Sequence, residues 1–254
     1  MPSHEEDIAL EALQAGARAA MSHFRRLEFI ERKSDNTPVT VADRESERAI
    51  ASVIGAAFPA DGILGEEDGE REGTSGRRWI IDPIDGTRAY ARGASHWGPL
   101  IALEGNGRMI LGGAALPVFD EFYVAARGSG AMRNGEPIRA TETKDIAECI
   151  ASFGSLPRLL EMPEHEGVIA IAKRSAYLYA GNDLAGGLML ARGEADCWLE
   201  TGVRLWDIAA LKVIIEEAGG VFTNFQGQDD LSQGQVVAAS TPALHTQLLE
   251  LLGT

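Results

Sequence analysis

Apolar residues recur near helical period at the start of the chain, at Ile8, Leu13, Ala17, Met21 and Phe24. Ser3 and Glu6 stand at capping-box spacing before them, so residues 3–26 are expected to form a helix with one face on the core. Glu31 to Pro38 is polar and holds Asn36-Thr37-Pro38, a turn signal, and Val39 to Ala42 then opens a second helix. The buried stripe expected for that helix is Ala49, Ile50, Val53, Ile54 and Ala57. Pro59 to Gly62 stops it, and Ile63-Leu64 lead into Gly65-Glu66-Glu67-Asp68-Gly69, where the acidic, glycine-rich run from Glu66 to Gly76 reads as a loop.

Trp79-Ile80-Ile81 has the pattern of a short strand that ends at Asp82-Pro83-Ile84-Asp85-Gly86-Thr87. Three further apolar runs, Pro99 to Leu103, Met109 to Leu116 and Glu121 to Ala126, are broken by Gly105-Asn106-Gly107 and Pro117 and predict an antiparallel meander. Beyond Thr141 the pattern alternates between strand and helix, at Ile146 to Phe153, Val168 to Ile171, Leu184 to Ala191 and Ala195 to Leu199. Trp206 to Ala218 predicts a helix closed by Gly219-Gly220, followed by a strand at Val221 to Phe225 and a terminal helix begun at Thr241-Pro242. The chain therefore divides into an N-terminal α+β half, residues 1–142, and a C-terminal α/β half, residues 143–254, which could equally form one layered unit.

Composition narrows the class. With 254 residues, 45% of them hydrophobic, the chain can bury a sizeable core. Cys149 and Cys197 are the only cysteines, which supports neither a disulfide framework nor a zinc site. No stretch approaches eighteen consecutive apolar residues, and the first thirty carry no basic start followed by an apolar run, so a cytoplasmic protein without a membrane span is expected. A net charge of −15, from 23 Lys and Arg against 38 Asp and Glu, argues against nucleic-acid and membrane partners.

The candidate chemistry lies where the Trp79 strand ends. Pro83 and Gly86 imply a tight turn, and a helix starting near Thr87 leaves free N–H groups that suit a phosphate. Asp82 and Asp85 would then stand beside that phosphate, an arrangement that needs cations between them, and Mg²⁺ is the hard, oxygen-seeking ion that fits. Glu66 is a third carboxylate sixteen residues upstream, and Asp207 a fourth, directly after Trp206. Each also has a plain structural role open to it. Asp82 and Asp85 can serve as a helix cap and a first-turn acid, Glu66 as solvated loop surface, and Asp207 as an acid at a helix N-terminus.

Gly65-Glu66-Glu67, Trp79 to Thr87 and Trp206-Asp207-Ile208-Ala209-Ala210 resemble the signatures of the inositol monophosphatase family. Lys33-Ser34, Val39-Thr40-Val41-Ala42-Asp43 and Glu217-Ala218-Gly219-Gly220-Val221 extend the resemblance over nearly the whole chain. It implies an α+β fold, a layered α/β/α/β/α sandwich, in a homodimer that hydrolyses a small-molecule phosphate ester with two or three Mg²⁺ ions. By the same resemblance, Glu66, Asp82 and the Ile84 carbonyl hold one ion, Asp82, Asp85 and Asp207 a second, and Glu67 lies beside a weaker third. Asp85, Gly86 and Thr87 would bind the phosphate, Asp43 and Thr87 orient the attacking water, and Glu66 helps to activate it. No GxSxG, HExxH or P-loop suggests a rival chemistry.

The resemblance also places Asp183 and Glu200 against the leaving group. Gly62 to Glu67, Thr37 to Thr40, Tyr179 to Asp183 and Gly86 to Tyr90 look most like the histidinol-phosphatase branch, whose substrate carries an amine and an imidazole that such carboxylates can hold. Leu184-Ala185 departs from that branch, and Leu205-Trp206-Asp207 is closer to the inositol-cleaving one, so inositol phosphate or another small metabolite stays open as substrate. A catalytically idle metal-binding protein is the remaining alternative. Such a relative should have lost at least one of Asp43, Glu66, Asp82, Asp85, Thr87 and Asp207, and all six are present.

Overall fold

The computed structural model describes residues 3–26, 31–32, 38–39, 41–181 and 183–253. Lys33, Ser34, Thr37, Thr40 and Asn182, which carry part of the resemblance, lie outside the described residues. The first half runs α1 (His4–His23), β1 (Glu31–Arg32), β2 (Pro38–Val39), α2 (Val41–Ala57), β3 (Gly62–Gly65), β4 (Gly69–Arg71), β5 (Arg77–Asp85), α3 (Thr87–Ala91), β6 (Gly98–Gly105), β7 (Arg108–Leu116), β8 (Glu121–Ala126), β9 (Gly130–Arg133) and β10 (Glu136–Ile138). It continues with β11 (Ile150–Phe153), α4 (Leu156–Glu161), α5 (His165–Arg174), β12 (Tyr177–Ala180), α6 (Asp183–Ala191), β13 (Cys197–Thr201), α7 (Leu205–Glu217), β14 (Val221–Thr223), β15 (Gln235–Ala239) and α8 (Pro242–Leu252).

Strands β3–β10 form one eight-stranded sheet in the order β10-β9-β8-β7-β6-β5-β3-β4, and β11–β15 a five-stranded sheet in the order β12-β11-β13-β15-β14. Three apolar clusters define the layers between and outside them. Ala9, Leu13, Ile50 and Ile54 of α1 and α2 pack on Trp79, Ile81, Ile101 and Leu103, one face of the large sheet. Its other face, with Ile80, Leu100 and Ala114, meets Leu184 and Leu188 of α6 and Ile208, Leu211 and Ile215 of α7, whose far sides reach Trp198 and Ala238 of the small sheet. Phe153, Leu199 and Val237 then bury the opposite face of the small sheet under Leu159, Val168 and Leu248 of α4, α5 and α8. The result is the α/β/α/β/α sandwich, with α6 and α7 as the middle layer. These two helices are apolar on nearly all sides because each is covered by a sheet above and below. No described helix is long and apolar enough to cross a membrane.

The α1 capping box forms as expected, with Ser3 Oγ accepting the Glu6 N–H at 3.2 Å and the Glu6 carboxylate accepting the Ser3 N–H at 2.7 Å. The meander β6–β8 is also as the pattern predicts. Several boundaries differ. The run read as a loop from Glu66 contains β4, an exposed edge strand paired with β3, and the Glu31–Pro38 turn is flanked by the paired β1 and β2. The buried face of α2 is Ala42, Asp43, Ser46, Glu47, Ile50 and Ile54, with Ala49, Val53 and Ala57 only half-buried. Helix α2 thus turns polar atoms inward toward the ends of β3 and β5.

Candidate active site

Strand β5 does not stop at Ile81. It continues to Asp85, and its pairing with β6 shifts between Asp82, opposite Leu100, and Asp85, opposite Gly98, so that three steps on β5 meet two on β6. In a regular strand, residues three apart point to opposite faces. The extra residue of the bulge reverses that parity, and Pro83, with no N–H to leave unpaired, suits it. Asp82 and Asp85 consequently come to one side, where carboxylate oxygens of Asp82, Asp85 and Asp207 lie within 4.8 Å of one another. Asp207 arrives from the first turn of α7, its carboxylate accepting the Arg204 N–H at 2.7 Å. Its role as an N-terminal helix acid and its place in the cluster are therefore compatible. Glu66 follows β3, whose parallel pairing with β5 sets Gly65 beside Ile81, and the Glu66 N–H donates to the Ile81 carbonyl at 3.2 Å.

The electrostatics of this group are one-sided. Burial pushes the Asp82 carboxyl well above the ordinary carboxylate range, and Glu66, Asp85 and Asp207 push it further. Asp85 is raised by burial and by Asp183 and Asp207, against the Leu184 N–H that it accepts at 2.6 Å. Burial, together with Glu66 and Asp183, lifts Asp207 to about 6, within hydrogen-bonding reach of Asp82. The charges that act most on Asp82 are all acids, so the group either keeps protons at neutral pH or takes up a cation. Closely spaced, all-oxygen donors fit a hard divalent ion such as Mg²⁺.

Of the remaining predicted residues, Gly86 and Thr87 directly follow Asp85, and Asp183 and Glu200 act electrostatically on it. Gly86 takes φ 78°, a left-handed conformation, at the start of α3, and a Cβ there would lie 2.9 Å from the His96 carbonyl oxygen. Helix α3 has only five residues, so a phosphate at Gly86 and Thr87 would be held by individual N–H groups more than by a helix dipole. Thr87 Oγ1 donates to the Ile84 carbonyl at 3.0 Å, which ties two of the predicted positions together. Asp43 is buried in the first turn of α2, and its charge adds to the burial that raises the Tyr90 phenol. Glu67 is half-buried one residue beyond Glu66. Asp183 opens α6 with φ 23°, an uncommon conformation for an aspartate, and its carboxyl is raised by burial against the lowering charges of Arg88 and Arg158. Burial raises Glu200 to about 7, although it accepts N–H groups from Ser155 and Thr201, both at 2.9 Å. Neither Asp82 nor Asp85 caps α3, whose N-cap is Gly86 without a side-chain hydrogen bond, but Asp85 accepts a first-turn N–H of α6 at Leu184.

Several supporting residues escape sequence reasoning. Ser46 Oγ donates to the Pro83 carbonyl at 3.1 Å, inside the bulge. Glu47 accepts the Glu67 and Asp68 N–H groups. Gly154 leaves room for Glu200, since a Cβ there would fall 1.3 Å from its carboxylate. Arg158, which donates to the Gly202 carbonyl at 2.8 Å, sets its charge near Asp183 and Glu200. The signal for Ser46 and Glu47 was their spacing, three and four residues after Asp43, which puts all three on one helix face.

The chain is similar to known proteins along nearly its whole length. The profile of the inositol monophosphatase family matches residues 2–254. A histidinol-phosphatase of Chlorobaculum parvum is 35% identical over 247 residues, covering 97% of this chain and 95% of the relative. The fructose-1,6-bisphosphatase/inositol-1-monophosphatase of Thermotoga maritima is 31% identical, covering 97% and 94%. Among solved structures, the extragenic suppressor protein suhB from Bartonella henselae superposes with a TM-score of 0.91 at 25% identity, covering 98% of each chain.

Proposed function

From the premise that the chain belongs to the inositol monophosphatase family, we propose that it is a Mg²⁺-dependent histidinol-phosphate phosphatase, releasing L-histidinol and phosphate in the cytoplasm as a homodimer. The observation that carries the metal-dependent part is the meeting of Asp82, Asp85 and Asp207 with no compensating cation among the charges that act most on Asp82. Glu66, Asp82 and the Ile84 carbonyl would hold one Mg²⁺, Asp82, Asp85 and Asp207 a second, with Glu67 beside a third. When bound, the ions supply Lewis acidity and charge neutralisation at the phosphate. The chain's own groups supply position: Gly86 and Thr87 offer N–H donors to the phosphate oxygens, Asp43 and Thr87 orient the attacking water, and Glu66 accepts its proton.

The choice of histidinol phosphate rests on Asp183 and Glu200, two buried or half-buried carboxylates that act on each other, with Asp183 acting also on Asp85 and Asp207. An amine or imidazolium on the leaving group would answer both. The 35% identity to the histidinol-phosphatase of Chlorobaculum parvum supports the same reading. A second reading, an inositol phosphate, is favoured by Arg88 and Arg158, whose charges already offset part of Asp183 and so suit a neutral polyol.

The deciding experiment is phosphate release in Mg²⁺ from histidinol phosphate, inositol 1-phosphate, fructose 1,6-bisphosphate and a neutral generic ester. Wild type is expected to prefer histidinol phosphate. Asp183→Asn and Glu200→Gln should each lose roughly ten- to a hundredfold in kcat/KM on it, about 1.5 to 3 kcal/mol of charge-assisted hydrogen bonding, and far less on the generic ester. Preference for inositol 1-phosphate overturns the substrate and leaves the phosphatase standing. No release from any ester overturns both.

A further inference from the structure

Helix α2 buries more than Asp43 on its inner face. Glu47, one turn further on and 2% exposed, sends its two carboxylate oxygens to successive backbone amides: Oε2 accepts the Glu67 N–H at 2.9 Å and Oε1 the Asp68 N–H at 2.8 Å. These are the two amides that directly follow Glu66. The turn leaving β3 is thus closed on a buried carboxylate. The fit depends on residue 65 lacking a side chain, since a Cβ on Gly65 would lie 2.1 Å from Glu47 Oε1 and 2.5 Å from its carboxyl carbon. On the same face, Ser46 holds the Pro83 carbonyl. One helix therefore ties together the two backbone segments, from β3 and β5, that deliver Glu66 and the Asp82–Asp85 pair. A further acid buried beside an acidic site works against folding unless its position serves the site.

We infer that Glu47 is a positioning residue for Glu66, holding the turn at residues 66–68 in the conformation that presents Glu66 to the acidic group, and thereby setting how tightly that group holds a divalent cation. This rests on the Mg²⁺ reading above. Glu47 is assigned no contact with ion or substrate. A glutamine in its place offers one acceptor oxygen and turns an NH₂ group toward the second amide, donor against donor. An aspartate keeps the charge but is one methylene short of the turn. Outer partners of metal-binding side chains are commonly worth ten- to a hundredfold in metal affinity.

The test is calorimetric titration of the chelator-stripped protein with Mg²⁺, alongside thermal melts in chelator, for wild type, Glu47→Gln, Glu47→Asp and Gly65→Ala. Mg²⁺ affinity is expected to fall about ten- to a hundredfold in all three variants, with kcat recovering to within a few-fold of wild type at saturating Mg²⁺. Gly65→Ala displaces the Glu47 carboxylate without removing it and carries the test if Glu47→Gln does not fold. The inference is overturned if Glu47→Gln binds Mg²⁺ within about twofold of wild type, whatever its metal-free melting temperature, because Glu47 then serves the fold alone. It is also overturned if Glu47→Asp binds as wild type does while Glu47→Gln does not, because charge and not position is then what matters. A wild-type protein with no measurable Mg²⁺ affinity removes the metal reading itself, and this inference with it.

Discussion

The two ends of β5 border carboxylates that are both shielded from solvent, and treat them in opposite ways. Asp61, which precedes β3 and packs against the start of β5, is 3% exposed, and Asp82, toward the exit of β5, is 1% exposed. Burial alone would raise Asp61, but hydrogen bonds from Ser75, Arg77 and Trp79 and the Arg77 charge outweigh it and leave the carboxyl below its ordinary value. Arg77 reaches Asp61 at 2.9 Å and Glu5 at 3.0 Å, and Trp79 Nε1 donates to Asp61 at 3.0 Å. At the exit, burial and neighbouring acids act in the same direction on Asp82. Asp82 lies deeper in the molecule than Asp61, and the two differ also in counter-charge, which Arg77 gives Asp61 and which the charges acting most on Asp82 do not supply. Among the described residues, the start of β5 sets a guanidinium against its acid, and the exit gathers acids that either hold protons or take up a cation.

The largest expected effect separates the two ends by mutation. Asp82→Asn should abolish turnover, by a factor on the order of a thousand or more, as removal of a metal-site charge does. In chelator it should melt no lower than wild type, since it relieves repulsion. Asp61→Asn should do the reverse, lowering stability by about 2 to 3 kcal/mol through lost charge-assisted hydrogen bonds and leaving kcat/KM of the folded fraction intact. Denaturant melts and steady-state kinetics on both variants break the comparison if Asp82→Asn retains turnover or if Asp61→Asn loses it.

A smaller effect is expected in the pH dependence of stability. A raised carboxyl favours the fold fully below its unfolded value, and that contribution is lost as pH climbs through the folded value. For Asp207, at about 6 against an ordinary 3.8, and Glu200, at about 7 against 4.5, the loss falls between roughly pH 4 and 7. Asp82 and Asp85 shift in the same direction. Glu5 and Asp61 are lowered, so their stabilisation is fully present above their ordinary values, 4.5 and 3.8, and is lost as pH falls through the lower folded ones. The metal-free protein should gain on the order of 5 °C in Tm from pH 8 to pH 5, as roughly 2 kcal/mol does in a chain of this size. It should lose stability again in stronger acid. Saturating Mg²⁺ should flatten the upper arm by binding the ionised form. A metal-free Tm that is level or falling from pH 8 to pH 5 contradicts the contrast.

The smallest effect sharpens where the acidic end stops. Glu67→Gln should stay within about threefold of wild type in kcat/KM at saturating Mg²⁺, because Glu67 is assigned beside the weaker third ion and to neither of the two principal ligand sets. A loss comparable to that of Asp82→Asn moves Glu67 into the principal group.

How far the site could be read from sequence follows from what each residue depends on. Asp82, Pro83, Asp85, Gly86 and Thr87 were legible because their geometry is local: a proline without an N–H, a glycine at φ 78° and a short helix within six residues. The α1 capping box and the β6–β8 meander were legible for the same reason, since caps, turns and alternation are short-range signals. Strand β15 was not, because Gln235 to Ala239 becomes a strand by lying between β13 and β14, and its apolar run carries no turn chemistry that names its neighbours.

The chain by itself thus determined the acidic residue types, the α+β pattern and the local turn at Thr87, each dictated by the chemistry of a few adjacent side chains. Only the tertiary structure decided that Asp82 and Asp85 share a side, because that depends on a bulge measured against β6. It alone brought Asp207 from α7 into their reach and set Glu47 on the turn after Glu66. Spacing along the chain says which carboxylates are available. Their distances in space, and the charges around them, come from segments more than a hundred residues apart that meet only when the sheets and helices pack.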